Sequence, residues 1–389
     1  MVEWKKLVSV SNVLYGYPFE SSLFSEDSNY MPLIRIRDVK PAKASTYYSG
    51  EIREEYRIKK GDILVGMDGE FNLGRWDDRD GLLNQRVLKI SEKNGCSIDG
   101  YLFHYMGPVF KKIEKETAGG SVKHLSAKVI NNILIPIPSL SEQSRIVSIL
   151  DTFTSSMSNL KQQIEERRKQ YEYERDLLLD LEGKEGVEMK KLGEIGDVTK
   201  LAGFEFTEHV TYQEDGKIIA LRGLNVRDGH LDLNQVKYID GSNFAKLSRS
   251  KLVINDMLFT YVGTIGNVAL IDENEKYYLA PNVSRIRFDE SIINPKYALY
   301  IFMSQSFHRT QINKFLNSSS MKNLSMENIR KFILPIPALS TQSHIVSILD
   351  TFEQSIANLE AQLAMREKQY EYYRNQLLTF EGEEERGKT

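Results

Sequence analysis

The chain has 389 residues, 41% of them hydrophobic and 27% charged, a balance that excludes wholesale disorder and predicts two or three folded domains. Its single cysteine, Cys96, excludes an internal disulfide, and a formal net charge of -3 excludes a protein that grips nucleic acid by bulk basicity alone. No run reaches the roughly eighteen apolar residues of a membrane span. The start, Met1-Val2-Glu3-Trp4-Lys5-Lys6, lacks the apolar core of a signal peptide, so a cytoplasmic location with no membrane partner is expected.

In chain order, Pro32 to Arg37 alternates apolar and basic residues, which predicts a half-buried strand. Gly61-Asp62 followed by Ile63 to Gly66 predicts a turn and a buried strand, and Tyr101 to Ile113 a helix. A small-residue turn, Gly119 to Ser126, precedes a short helix. Then comes Ile135-Pro136-Ile137-Pro138-Ser139-Leu140-Ser141-Glu142-Gln143-Ser144-Arg145-Ile146-Val147-Ser148-Ile149-Leu150-Asp151-Thr152-Phe153. Ser141 is the expected helix cap. Beyond it, Leu150, Phe153, Met157, Leu160 and Ile164 recur at alternating steps of three and four and, with Arg167 as an exception, Tyr171 continues the pattern, a heptad seam that predicts a coiled coil. Gly183 and Gly186 end this helix.

The chain then repeats itself. Glu188-Met189-Lys190-Lys191-Leu192 matches Glu3-Trp4-Lys5-Lys6-Leu7, and Arg222 falls 185 residues after Arg37. Lys217 to Arg222 and Asn255 to Thr260 match the two predicted strands, Ala280 to Arg285 loosely matches Leu82 to Val87, and Tyr297 to Phe307 is a second helix. The Pro-x-Pro block returns as Leu334-Pro335-Ile336-Pro337-Ala338-Leu339-Ser340-Thr341-Gln342, with Ser340 as the expected cap and Phe352 standing 199 residues after Phe153. Leu349, Phe352, Ile356, Leu359 and Leu363 form the second seam. The chain is a tandem duplication with similar ends and divergent middles, the pattern of one scaffold serving two targets. The fold class is α+β: two mixed, strand-rich domains (1–138 and 188–337), each followed by a long helix (139–187 and 338–389), the two helices pairing antiparallel about a pseudo-two-fold axis. Helices of about 40 residues reach roughly 60 Å.

Catalytic signatures are missing from the sequence. It holds no phosphate-cradling Gly-x-x-x-x-Gly-Lys-Ser/Thr, no dinucleotide glycine motif after a strand, no Asn/Asp-Pro-Pro-aromatic tetrad for base methylation, and no metal-ligand spacing among its six histidines and one cysteine. A carboxylate-x-Lys scrap, Glu182-Gly183-Lys184, is common by chance.

The duplicated Ile-Pro-x-Pro-x-Leu-Ser-x-Gln-x-x-Ile-Val-x-Ile-Leu-Asp block, with a heptad helix after each of two divergent domains, resembles the specificity (S) subunit of Type I restriction–modification systems over nearly the whole chain. The second copy departs from the family block at Thr341, where the first carries Glu142. The resemblance implies a non-catalytic subunit. Each divergent domain would be a target recognition domain for one half of a split, asymmetric site in double-stranded DNA. The helices would set the gap, of at most about 18 base pairs at 3.4 Å each. They would also dock two methyltransferase (modification) subunits, with restriction subunits joining them. It implies no cofactor in this chain; S-adenosylmethionine, Mg and ATP belong to those partners. A coiled-coil interaction scaffold without DNA recognition is the alternative, and a nuclease with an unrecognised site a third reading.

Candidate DNA contacts are side chains able to meet phosphates or base edges. They are Arg35, Arg37 and Arg222 on the predicted strands, Lys123, His124, Lys322 and Asn323 in the small-residue turns, and Thr264 in the loop after a buried strand. The loops 66–72 and 261–267 are candidates to enter a groove. Tyr171, Tyr370 and Tyr373 are expected to pack in the seam.

Overall fold

The computed structural model describes residues 2–117, 123–201, 206, 208–316 and 323–380. The chain divides into two compact units, residues 1–161 with 361–389, and residues 162–360.

In the first unit, strand Glu3–Lys6 pairs antiparallel with Leu134–Ile137. Pro136 has no amide to donate, and a two-stranded ribbon with open edges tolerates that loss. A four-stranded antiparallel sheet follows in the order Ser11–Tyr15, Val87–Glu92, Ile63–Gly66, Leu73–Arg75. Ile63–Gly66 is buried throughout, as its unbroken apolar run predicts. Met31–Ile34 and Gly81–Leu83 pair in parallel at the centre of a smaller five-stranded sheet. Helix Asp99–Glu116 covers the four-stranded sheet, and Tyr101 and Phe110 from it join Leu7, Val65 and Leu88 in the core. Ser126 caps the short helix Ala127–Asn132.

The strand predicted over residues 32–37 stops early. It ends at Ile34, and Ile36–Val39 is a short helix. The Asp38 carboxylate accepts from the Arg35 amide at 2.9 Å, starting a helix where alternation alone would extend the strand. Arg35 is therefore a cap residue and Arg37 a helical one.

The second unit repeats this plan. Glu188–Lys191 pairs with Ile333–Ile336, and a four-stranded sheet runs Gly196–Lys200, Val283–Phe288, Met257–Thr260, Val268–Leu270. The parallel pair recurs as Ile219–Leu221 with Tyr277–Leu279. Arg222 again lies just past its strand, its amide donating to Asn225 Oδ1 at 3.1 Å. The predicted helix 297–307 runs from Pro295 to Met303 and then breaks at Ser304, whose side chain caps the next turn.

The two long helices span Leu140–Leu179 and Leu339–Leu378. Ser141 and Ser340 are not their caps; both lie inside the first turn, because each helix starts at the preceding leucine. Ser139 fills that role in the first helix, its hydroxyl accepting from the Glu142 amide at 3.3 Å, while the second has Ala338 there. In the first unit, Phe153 stacks on Tyr373 with 5.3 Å between ring centroids, and Lys161 lies 3.9 Å from Glu367. Numbers rise on one helix as they fall on the other, so the segments run antiparallel. The second unit shows the same sense, with Arg168 paired to Glu360 and Tyr171 beside Phe352.

The seam residues divide by role. Leu150 and Leu349 are fully buried, each in the core of its own globular part. Ile164 is buried as well, and Phe153, Met157, Leu160, Phe352, Ile356, Leu359 and Leu363 are half-buried among exposed neighbours. A helix packed only on its own domain is thus true of the first turns and false farther along.

Candidate nucleic-acid interface

Each unit brings its predicted loop against the described end of the small-residue turn, residues 123–126 in the first and 323–325 in the second. In the first, strand Ile63–Gly66 runs into loop 67–72, where Gly69 takes a left-handed φ of 72° with open space around it. Glycine adopts that conformation at no steric cost. The loop lies against the turn, where the Leu125 amide donates to the Met67 carbonyl at 2.7 Å and Asp68 and His124 form a β-bridge. His124 Nδ1 also donates to Asp68 Oδ1 at 2.5 Å. Glu114 ties the same pieces from below: it accepts from the Phe71 amide at 3.0 Å and lies 3.7 Å from Lys123 Nζ. Burial pushes the Glu114 carboxyl up, but Lys111, the Phe71 amide and Lys123 outweigh it and hold it below its ordinary value. It is therefore an anion that anchors Lys123.

The second unit has the same construction with other side chains. Strand Met257–Thr260 leads into loop 261–267, with Gly263 at φ 77° in open space. The Leu324 amide donates to the Tyr261 carbonyl at 3.0 Å, and Val262 bridges to Asn323. Thr264 is exposed at the loop tip, where its carbonyl accepts from Thr260 Oγ1 at 2.5 Å. Asn323 is exposed beside it. Lys322 lies outside the described residues.

The strand-end arginines are engaged by local partners. Arg37 donates to Ser45 Oγ at 2.9 Å and Thr46 Oγ1 at 2.7 Å. The Arg35 guanidinium sits 5.9 Å from the Phe24 ring centre, and Arg222 donates to the Gln235 carbonyl at 2.8 Å. Sequence inspection missed Arg86, which lies 3.5 Å from Asp68. No local motif marks it, because its place depends on the fold bringing residues 68, 86 and 124 together.

Comparison with known proteins explains the duplicated frame. The family model for the type I restriction modification DNA specificity domain matches twice, at residues 1–167 and 184–365. The chain belongs to this family. It is 30% identical to the EcoBI type I restriction enzyme specificity subunit of Escherichia coli, over 91% of this chain and 81% of that one. It is 28% identical to a putative type I restriction enzyme specificity subunit of Haemophilus influenzae, over 97% and 96%. Among solved structures, the S subunit of a type I restriction–modification system from M. genitalium shares the fold with a TM-score of 0.61 at 15% identity, covering 98% of this chain and 96% of that one.

As a member of the specificity family, the chain is a DNA sequence-specificity subunit without catalytic activity of its own, working in a complex with DNA and other restriction–modification subunits. Among the described residues no helix is long and apolar enough to cross a membrane. The family block has a visible structural purpose. Gln143 is fully buried; its carboxamide accepts from the Ile98 amide and donates to the Cys96 and Pro138 carbonyls. Gln342 repeats all three bonds with Asn294, Ile292 and Pro337. The block's aspartates also lock helix to domain. Asp151 takes His104 at 2.7 Å, and Asp350 takes the Tyr300 hydroxyl at 2.5 Å and Lys296 at 2.8 Å. Glu142 instead faces solvent and pairs with Arg145. Thr341 in its place leaves the buried lock unchanged.

Proposed function

We propose that residues 1–138 and 188–337 are two target recognition domains, each specifying one half of a bipartite, asymmetric DNA sequence. The long helices set the gap and dock two methyltransferase subunits, to which restriction subunits add. S-adenosylmethionine, Mg and ATP then act in those partners. One observation carries this reading: the same loop-and-turn face occurs in both units with different side chains, Asp68, Lys123 and His124 in one, Val262, Thr264 and Asn323 in the other. A shared frame with divergent side chains is what two base-edge readers of different sequences require.

Exchanging residues 188–337 for the corresponding domain of another family member tests it. Mapping methylated adenines in a host carrying the chimera and the methyltransferase subunits is expected to show one changed half-site and one unchanged. Change in both halves would refute independent recognition.

A further inference from the structure

The residue just before strand Val87–Glu92 is Arg86, and the one just before Val283–Phe288 is Asn282. Both hold left-handed backbone, at φ 72° and 71°, and both are exposed. Asparagine tolerates this conformation; arginine there is uncommon, and such strain concentrates where function needs a fixed geometry. The turn around Arg86 is pinned by backbone bonds. Its carbonyl accepts from the Met67 amide at 2.8 Å, the Gln85 amide donates to the Tyr17 carbonyl at 2.8 Å, and Gly16 donates to the Val87 carbonyl at 2.9 Å. A Cβ at Gly16 would sit 2.0 Å from the Asn84 carbonyl oxygen, so only glycine admits this close approach. The side chain is steadied too. Arg86 Nε lies 3.5 Å from one Asp68 oxygen while the other holds His124, and the Arg86 side chain remains more than half exposed. A carboxylate beside the inner nitrogen of a guanidinium leaves its two outer nitrogens available to a ligand. In the second unit, Asn282 precedes Val283, which pairs with Thr260 at the root of the matching loop.

We propose that Arg86 and Asn282 are equivalent specificity-determining residues, Arg86 reading a guanine in one half-site and Asn282 an adenine in the other. The inference deepens the two-reader function and rests on it. Arginine can bond guanine O6 and N7 together, and asparagine adenine N6 and N7.

The test uses the whole chain with its methyltransferase subunits in a host whose methylated adenines are mapped for wild type, R86N, R86K, N282A and N282D. Both Arg86 variants are expected to lose preference for guanine at a single position of one half-site by about ten- to a hundredfold, as a lost bidentate pair implies. The other half-site stays as in wild type. The Asn282 variants do the same for one adenine in the opposite half. Half-sites unchanged in R86N and R86K overturn the assignment while bipartite recognition stands; a wild-type map without a two-part motif overturns the recognition reading itself. Where R86N abolishes methylation, R86K decides, since it keeps the charge. If R86K also abolishes it while the complex still elutes intact by size exclusion, Arg86 serves affinity or fold rather than base choice, and the assignment fails.

Discussion

At the scale of single residues, the duplicated block is a set of buried polar locks. Truncating Gln143 removes three bonds and strands the Ile98 amide with the Cys96 and Pro138 carbonyls inside protein. An unsatisfied buried group costs about 1–3 kcal/mol, so Q143L is expected to destabilise by roughly 2–4 kcal/mol despite its similar shape. Q342L is expected to behave alike, and urea unfolding measures both; unchanged midpoints would show that water replaces the carboxamide. His104 adds a pH dependence. It is wholly buried between Asp151 and Tyr370; burial lowers its pKa below the ordinary 6.5, Asp151 pulls it up, and Arg75 and Arg374 push it down again. The unfolded chain therefore takes up a proton before the folded one does. Its contribution is complete above about pH 6.5 and is lost as pH falls toward the lower folded value. H104N is expected to flatten the fall in thermal midpoint between about pH 7 and 5; a slope equal to wild type would assign the dependence elsewhere, with half-buried His308, shifted the same way, as the next group to replace.

Elements explain why some of the molecule was legible in the sequence and some was not. The long helices follow from a heptad repeat that no short-range competitor interrupts, so both were visible with their seams. The strand over Pro32 to Arg37 was misjudged because alternation says nothing of a capping carboxylate, and Asp38 turns the chain after Ile34. The loops 66–72 and 261–267 and the small-residue turns were each visible as segments, yet their pairing was not. The bridges Asp68–His124 and Val262–Asn323 join residues more than fifty positions apart. Arg86 was invisible for the same reason. The helices carry their own prediction. Deleting one heptad from each, residues 160–166 and 361–367, keeps the seam in phase and removes about 10 Å of helix, close to three base pairs. Methylation mapping is expected to show a gap shorter by about that number with both half-sites intact. An unchanged gap would mean that the helices do not measure it.

At the scale of the whole molecule, charge decides how the work of binding is divided. Fifty-one basic residues face fifty-four acidic ones, giving -3. Many of the basic groups are already matched: Arg168 with Glu360, Lys161 with Glu367, Arg287 with Asp256 and Arg285 with Asp197. Phosphate neutralisation releases counterions and makes affinity fall with salt by about 0.9 log units per contact for each tenfold rise in concentration. A chain whose acidic residues outnumber its basic ones gains less from this than a basic one, and base-edge bonds alone do not hold duplex DNA. The isolated chain is therefore expected to bind its own site weakly and with a shallow salt slope, and the complex with methyltransferase subunits tightly and with a steep one. Fluorescence anisotropy between about 50 and 200 mM salt measures both, with six or more extra phosphate contacts appearing as a difference of roughly 10³ or more in lost affinity across that range. Equal slopes for chain and complex would mean that this subunit supplies the grip itself, through a basic surface gathered despite the net charge.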